Sequence, residues 1–200
     1  LRRPPRVLIN GSAIGYYGTS LKNEFSENTP AGEDFLAKLC QNWEELANHK
    51  PRATRLVIFR IGIVLGPNGG ALGKMLPIFK TGLGGPIGDG KQWMSWIHRT
   101  DLCHMLQLAL KNKSWSGAIN AVSPEPVTMA NFAATLGKQL GRPSLVAVPG
   151  PILKILLGDG ARVVLEGQKV VGARLQQLKF TFKYEKLAEA LLAATTPTSD

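Results

Sequence analysis

"RLVIFRIGIVLGP", Arg55 to Pro67, decides the fold. The stretch is β-branched and almost wholly apolar, so as a strand it needs cover on both faces, the situation of strands in a parallel sheet flanked by helices. Arg60, a charge on that buried strand, reads equally as half of an ion pair below the sheet or as a residue of a site. Working outward, apolar runs and helical patterns alternate, the signature of βαβ units. "VLIN", Val7 to Asn10, is a short buried strand. The following "PAGEDFLAKLCQNWEELANH" places Phe35, Leu36, Leu39, Trp43 and Leu46 on one face at helical spacing, with Pro30 ahead of it and acids in the early turns. Ala71 to Lys80 reads as a short helix interrupted by Pro77, and the glycine-rich "GLGGPIGDG" follows. "QWMSWIH" alternates like a strand, and Thr100 is placed to cap a helix striped by Leu102, Met105, Leu106, Ala109 and Leu110. "GAINAV" is another strand, and "TMANFAATLGKQLG" a helix between Thr128 as N-cap and Gly141 just past its end. "SLVAVPG" breaks at Pro149 and Pro151, and the remainder is irregular and helical up to "YEKLAEALLA" and a disordered-looking tail.

Two hundred residues with 44% hydrophobic content suffice for a buried core. No apolar run has membrane-spanning length and no leader pattern opens the chain, so the sequence reads as intracellular. Cys40 and Cys103 stand alone in helical patterns, which points to two core thiols rather than a disulfide framework or a zinc site; no metal is expected. The net charge of +10 is scattered without a stripe or aromatic interleaving, so it argues for attraction to anions such as a cofactor phosphate, not for nucleic acid.

Three tempting patterns fail. "NGGALGK" has Asn68 where a phosphate loop needs its first glycine, and Met75 follows where it needs Ser or Thr. "GSAIG" has Ala13 where the hydrolase elbow needs serine. Ser12, His98 and Asp101 can be written as a triad, but an acid early in a helix is favoured by the dipole alone. No glycine fingerprint follows a strand. Read by itself, Ser12 is either a turn residue or a hydroxyl delivered to a site by a strand.

"INGSAIGYYG", "FRIGIVLGPNGGALGKMLPIFKTGLGGPIGDGKQWMSWIHRTDL", "NAVSPEPVTMANFAATLGKQLGRP" and "LEGQKVVGARLQQLKFTFKYEKLAEAL" together resemble the atypical extended short-chain dehydrogenase/reductases, the YfcH-like, DUF1731-containing epimerase family. The resemblance implies an α/β fold. Residues 1–143 would be the C-terminal part of an NAD(P)-binding Rossmann domain, 144–193 a small, mostly helical C-terminal segment, and 194–200 a tail. It implies a chain beginning inside the longer protein, with the fingerprint upstream of Leu1. The implied cofactor is NADP, with NAD second. The implied partner is a small polar metabolite, the implied place the cytoplasm or a plastid.

By the same resemblance Ser12 and Tyr16 are the candidate catalytic residues, because related strands end in a serine that hydrogen-bonds the reacting oxygen, as donor or acceptor. Ala13, Gly62, Ile63 and Val64 are the cofactor candidates, and Tyr17, Gln92, Trp93, Trp96 and His98 the substrate-pocket candidates, with core packing the competing reading for the tryptophans. The sequence departs from the family's usual Y-x-x-x-K-x-x-x-E helix. With Glu44 as its last acid, Leu36 replaces the tyrosine and Cys40 the lysine. Two functions follow, an NADP(H)-dependent oxidoreductase or epimerase and a non-catalytic NADP(H)-binding regulator linked to cell or plastid division.

Overall fold

The computed structural model describes residues 3–67, 69–144 and 166–196. At its centre is a parallel sheet in the order β1-β3-β7, formed by β1 (Val7–Ala13), β3 (Arg55–Ile61) and β7 (Gly117–Ala121). A single 3-10 turn, Ile14–Tyr17, follows β1 directly, and β2 (Ser20–Phe25) leaves the sheet to pair in parallel with β9 (Gln168–Val170). The expected strand at Val7–Asn10 thus runs three residues further, which carries Ser12 along the sheet instead of leaving it in a turn.

The strand read as one over Arg55–Pro67 is two. It breaks at Gly62, and β4 (Ile63–Leu65) pairs with β6 (Trp96–His98) in a second small sheet. The break has a steric cause: a Cβ on Gly62 would lie 2.5 Å from the Ser95 carbonyl oxygen, so only glycine lets the two chains come this close. "QWMSWIH" likewise divides at Ser95 into β5 (Trp93–Met94), antiparallel to β8 (Val127–Thr128), and β6. Ser95 Oγ donates to Gln168 O and accepts from Val170 N, tying this segment to β9.

The helices are α1 (Phe35–Asn48), α2 (Gly70–Lys80), α3 (Arg99–Lys111), α4 (Met129–Leu140), α5 (Ala173–Gln177) and α6 (Leu187–Thr195). α1 turns a different face to the sheet from the one the apolar spacing suggests. Ala37, Cys40, Glu44 and Ala47 are buried, whereas Phe35, Trp43 and Leu46 are 77%, 47% and 67% exposed. Small residues on the inner face let the helix lie close to β1, and the large ones are left outside. α2 runs unbroken through Pro77. α3 is capped by His98 and not Thr100: His98 Nδ1 accepts from the Thr100 amide. α4 starts and stops as its caps require, with Thr128 Oγ accepting from Asn131 N and Gly141 in the left-handed region at φ 62°. Cys40 is buried, but Cys103 is exposed, so only the first is a core thiol. Pro149 and Pro151 lie outside the described residues, as do residues 197–200 of the tail; α6 extends to Thr195.

Side chains alternate across the central sheet. Val57, Phe59, Ile119 and Ala121 meet Met105 and Ala109 of α3 on one face, with Leu175, Phe180 and Phe182 beside them. Leu8, Leu56 and Ile58 meet Ala47 of α1 on the other. A separate cluster joins Leu65, Leu72, Trp96, Phe132, Leu136, Leu187 and Leu191. Among the described residues no helix is long and apolar enough to cross a membrane.

Candidate functional site

Register places three polar residues in one row across the sheet: Ser12 of β1 is level with Arg60 of β3, which is level with Asn120 of β7. All three are buried, near the carboxyl ends of parallel strands, where open α/β sheets bind ligands. A polar row inside an apolar sheet survives only if its members satisfy one another, and they do. Glu44, projecting from α1, accepts from Arg60 Nε at 2.9 Å and Nη2 at 2.8 Å, a two-pronged pair. Ser12 Oγ donates to Glu44 Oε1 at 2.8 Å. Arg60 Nη1 donates to Tyr17 Oη at 2.9 Å, Tyr17 Oη donates to Asn120 Oδ1 at 2.7 Å, and Asn120 Nδ2 donates to Val171 O. The network ends at Glu27, whose Oε1 accepts from the amides of Asn120 and Arg174.

The electrostatics follow from this wiring. Burial works against the Arg60 charge, but the bonds to Glu44 and the contact with Tyr17 outweigh it, and the guanidinium is held protonated more firmly than an ordinary arginine. Burial pushes the Tyr17 phenol up, against the pull of Arg60 and Asn120. Burial also pushes the Cys40 thiol up, against the pull of the neighbouring Ala13 backbone and Ser12 hydroxyl. Tyr16 sits over the cluster, its ring centroid 3.4 Å from Arg60 Cζ and edge-on to Tyr17 at 5.3 Å.

Residues 148–194 match a family described as a domain of unknown function, DUF1731. An Arabidopsis thaliana protein described as chloroplastic epimerase family protein SDR39U1 homolog is 48% identical over 189 residues, 94% of this chain and 54% of its own length. The human epimerase family protein SDR39U1, isoform 2, crystallised with NADPH, is 37% identical and superposes with a TM-score of 0.93 over 97% of this chain and 66% of that one. The chain belongs to the SDR39U1 epimerase family. A nucleoside-diphosphate sugar epimerase from Corynebacterium glutamicum, 30% identical, superposes at a TM-score of 0.75 over 98% of this chain and 39% of its own. The fold is therefore Rossmann-type α/β, and the chain spans between about half and two thirds of the length of these two SDR39U1 relatives.

Within the SDR39U1 frame the expected site residues fall into two groups. Ser12, Ala13, Tyr16 and Tyr17 stand together at the end of β1 and in the turn after it. Tyr17 is 3% exposed and stacked on Phe25, and its hydroxyl belongs to the buried network. Gly62 and Ile63 use their amides on Ala121 O and Ser95 O, and Val64 pairs with Ile97. The second group lies along β5 and β6. Gln92 is buried, its Nε2 donating to Ile87 O. Trp93 Nε1 donates to Leu21 O with Lys169 over its ring, and Trp96 is wholly buried with Nε1 donating to Glu125 O. His98 packs 4.0 Å from the Tyr184 ring. The triad does not assemble: Ser12 is bonded to Glu44, and both Asp101 oxygens accept backbone amides, from Lys183 and Tyr184.

Sequence reasoning missed Asn120 and Glu27. The signal for Asn120 was present, because a lone amide in the apolar run "GAINAV" has to find partners or destabilise the strand.

Proposed function

We propose that the protein is an NADP(H)-dependent oxidoreductase or epimerase acting on a small polar metabolite, with Ser12 and Tyr16 at the reacting oxygen. The observation that carries the proposal is the buried row Ser12–Arg60–Asn120, locked by Glu44, at the carboxyl ends of strands whose arrangement matches a human relative crystallised with NADPH. The residues present fit one end of such a cofactor. Gly11 and Ala13 flank Ser12 along β1 and face the other side of the sheet, where a Cβ on Gly11 would meet nothing nearer than Ile61 at 3.9 Å, so that side of the strand end has room for a flat ring. Gly11 to Ala13, with the backbone around Gly62, Ile63 and Val64, would hold the nicotinamide end. When bound, the nicotinamide supplies or takes a hydride.

Glu44 is paired with Arg60 and accepts the Ser12 proton, so the Ser12 oxygen turned away from it has lone pairs to offer. In this arrangement Ser12 accepts from a substrate hydroxyl; to donate to a carbonyl it would first have to leave Glu44. Tyr16 is the phenol nearest the same oxygen position along the chain. In this reading residues 1–143 carry the nucleotide-binding part and 144–193 the substrate side, with Gln92, Trp93 and His98 toward the pocket. The cytoplasm, or a plastid as for the Arabidopsis relative, is the compartment it assigns.

A second reading, an NADP(H)-binding regulator without turnover, linked to cell or plastid division, is favoured by one observation. Cys40 stands where the usual lysine belongs and is buried with a raised thiol pKa, so it cannot supply that lysine's charge. Fluorescence titration with NADPH and NADH, on this chain and on one extended to the relatives' length, tests both readings. Saturable binding by the extended chain with NADPH preferred, much weaker binding by the 200-residue chain, and turnover lost in Ser12→Ala with affinity kept support the first. Binding without turnover of any polar alcohol or sugar nucleotide supports the second, and no binding to either cofactor overturns both.

A further inference from the structure

We propose that the amino-terminal edge of the central sheet is a docking surface for an acidic, extended segment of another protein. The charge that the sequence scatters is gathered here by the topology. β1, β3 and β7 run parallel, so all three start on one edge, and the segments that lead into them are residues 3–6, 49–54 and 110–116. These segments present Arg3, Arg6, Arg52, Lys111 and Lys113, all exposed, and half-buried Lys50. No Asp or Glu occurs in residues 1–23, 46–88 or 102–124, and Glu45, a turn before the end of α1, is the acid nearest to them in sequence. Among the described residues none of these six side chains is in an ion pair. Like charges gathered on one edge repel one another, and a partner of opposite charge relieves that repulsion.

The edge is held in shape before any partner arrives. Thr54 Oγ donates to Pro5 O and Arg55 N donates to Arg6 O, which ties the first two segments together. Arg55 Nη1 donates to Trp115 O and Nη2 to Ala109 O, which ties in the third and occupies a carbonyl at the end of α3. Asn112 Oδ1 accepts from Ser114 N and Oγ, fixing the turn that carries Lys113. Such order lowers the entropy lost on docking. The helix dipole accounts for Lys111, in the last turn of α3, but not for Arg6, Arg52 or Lys113, which lie outside the helices. Three strand starts side by side span about 10 Å, which roughly four residues of an extended acidic segment cross. Two observations favour a peptide over a nucleic acid. α1 and α3 both end at this edge, whereas helices cradle phosphates with their amino ends. Trp115, the one large aromatic ring in these segments, is 2% exposed, so no base can stack on it. Leu110, exposed beside Lys111, gives instead an apolar contact for a peptide side chain. The edge is at the opposite end of the strands from Ser12, so a docked segment leaves the candidate site open.

Fluorescence anisotropy of a labelled octaglutamate peptide, titrated with the 200-residue chain, tests this. An oligothymidylate of equal length serves as the comparison anion, and far-UV circular dichroism checks that each variant is folded. Expected is saturable binding of octaglutamate in low salt that fades as ionic strength passes about 0.15 M. The Arg6→Gln, Arg52→Gln double variant and the Lys111→Gln, Lys113→Gln double variant are each expected to weaken it roughly tenfold. The Lys138→Gln, Arg142→Gln double variant removes as much exposed charge from the end of α4 and is expected to leave it nearly unchanged. Equal loss in all three variants would show the net charge at work, not the edge, and overturns the proposal. So does a failure to bind octaglutamate in low salt. Tighter binding of the oligothymidylate, weakened by the same edge variants, overturns it too and makes the edge a nucleic-acid surface.

Discussion

Ser12, Glu44 and Arg60 show how one buried charge pair reorganises the role of a neighbouring hydroxyl. Removing either charge leaves the other inside the protein without a partner, so Glu44→Gln is expected to destabilise by about 3–5 kcal/mol, read as a lowered urea midpoint. Ser12→Ala removes a single hydrogen bond from a carboxylate that keeps both prongs of Arg60, and a loss of about 1 kcal/mol is expected. Ser12→Ala as damaging as Glu44→Gln would mean that the serine, and not the ion pair, holds the row together. Gly62→Ala sets a Cβ against the Ser95 carbonyl, backbone on backbone with no flexible side chain to give way. An overpacking loss of about 1–3 kcal/mol is expected in the same measurement. At this scale the sequence displayed Ser12 as a hydroxyl at a strand end and Arg60 as a buried cation, but not that they are level. Register is a property of two strands, and nothing in either alone shows it.

The elements were legible where one helix or strand carries its own signal, as α4 does between Thr128 and Gly141. They were misread where packing decided. The large apolar residues of α1 suggested the buried face, yet the close approach to β1 selects Ala37, Cys40 and Ala47. Pairings such as β2 with β9 join residues far apart in sequence and left no local trace. One such long-range contact is testable through pH. His98 caps α3 beside Tyr184, Asp101 of the same helix holds the Lys183 and Tyr184 amides, and Arg99 and Lys183 are the nearby cations. Burial depresses the His98 pKa below its ordinary 6.5, against the pull of Asp101. A folded pKa below the unfolded one means the unfolded chain binds the extra proton. The contribution to stability is therefore complete above pH 6.5 and is lost as pH falls from there through the folded value. Denaturant midpoints should fall between pH 7.5 and 5.5, and the fall should shrink in His98→Gln. An equal fall in that variant would assign the effect to other groups.

Across the whole molecule, the C-terminal stretch acts as a strap through successive cores. Val170 enters the cluster of Ile14, Tyr17 and Phe25. Leu175, Phe180 and Phe182 cover the face of β3 and β7 that α3 also covers. Leu187, Ala190, Leu191 and Ala194 then close on α2, α4 and β6. A segment that visits three apolar clusters in turn makes their stabilities interdependent, so the division between a nucleotide-binding part and a C-terminal part is not expected to appear as two unfolding units. Leu191→Ala, at a wholly buried position, tests this. It is expected to lower stability by about 2–5 kcal/mol and to do so in one transition. Trp96, in the cluster with Leu191, and Trp115, in the cluster with Leu175, report on different regions. Single-tryptophan variants retaining one or the other should give coincident denaturation curves before and after the substitution. If the Trp96 curve moved while the Trp115 curve stayed in place, the strap would be holding the cores side by side without coupling them.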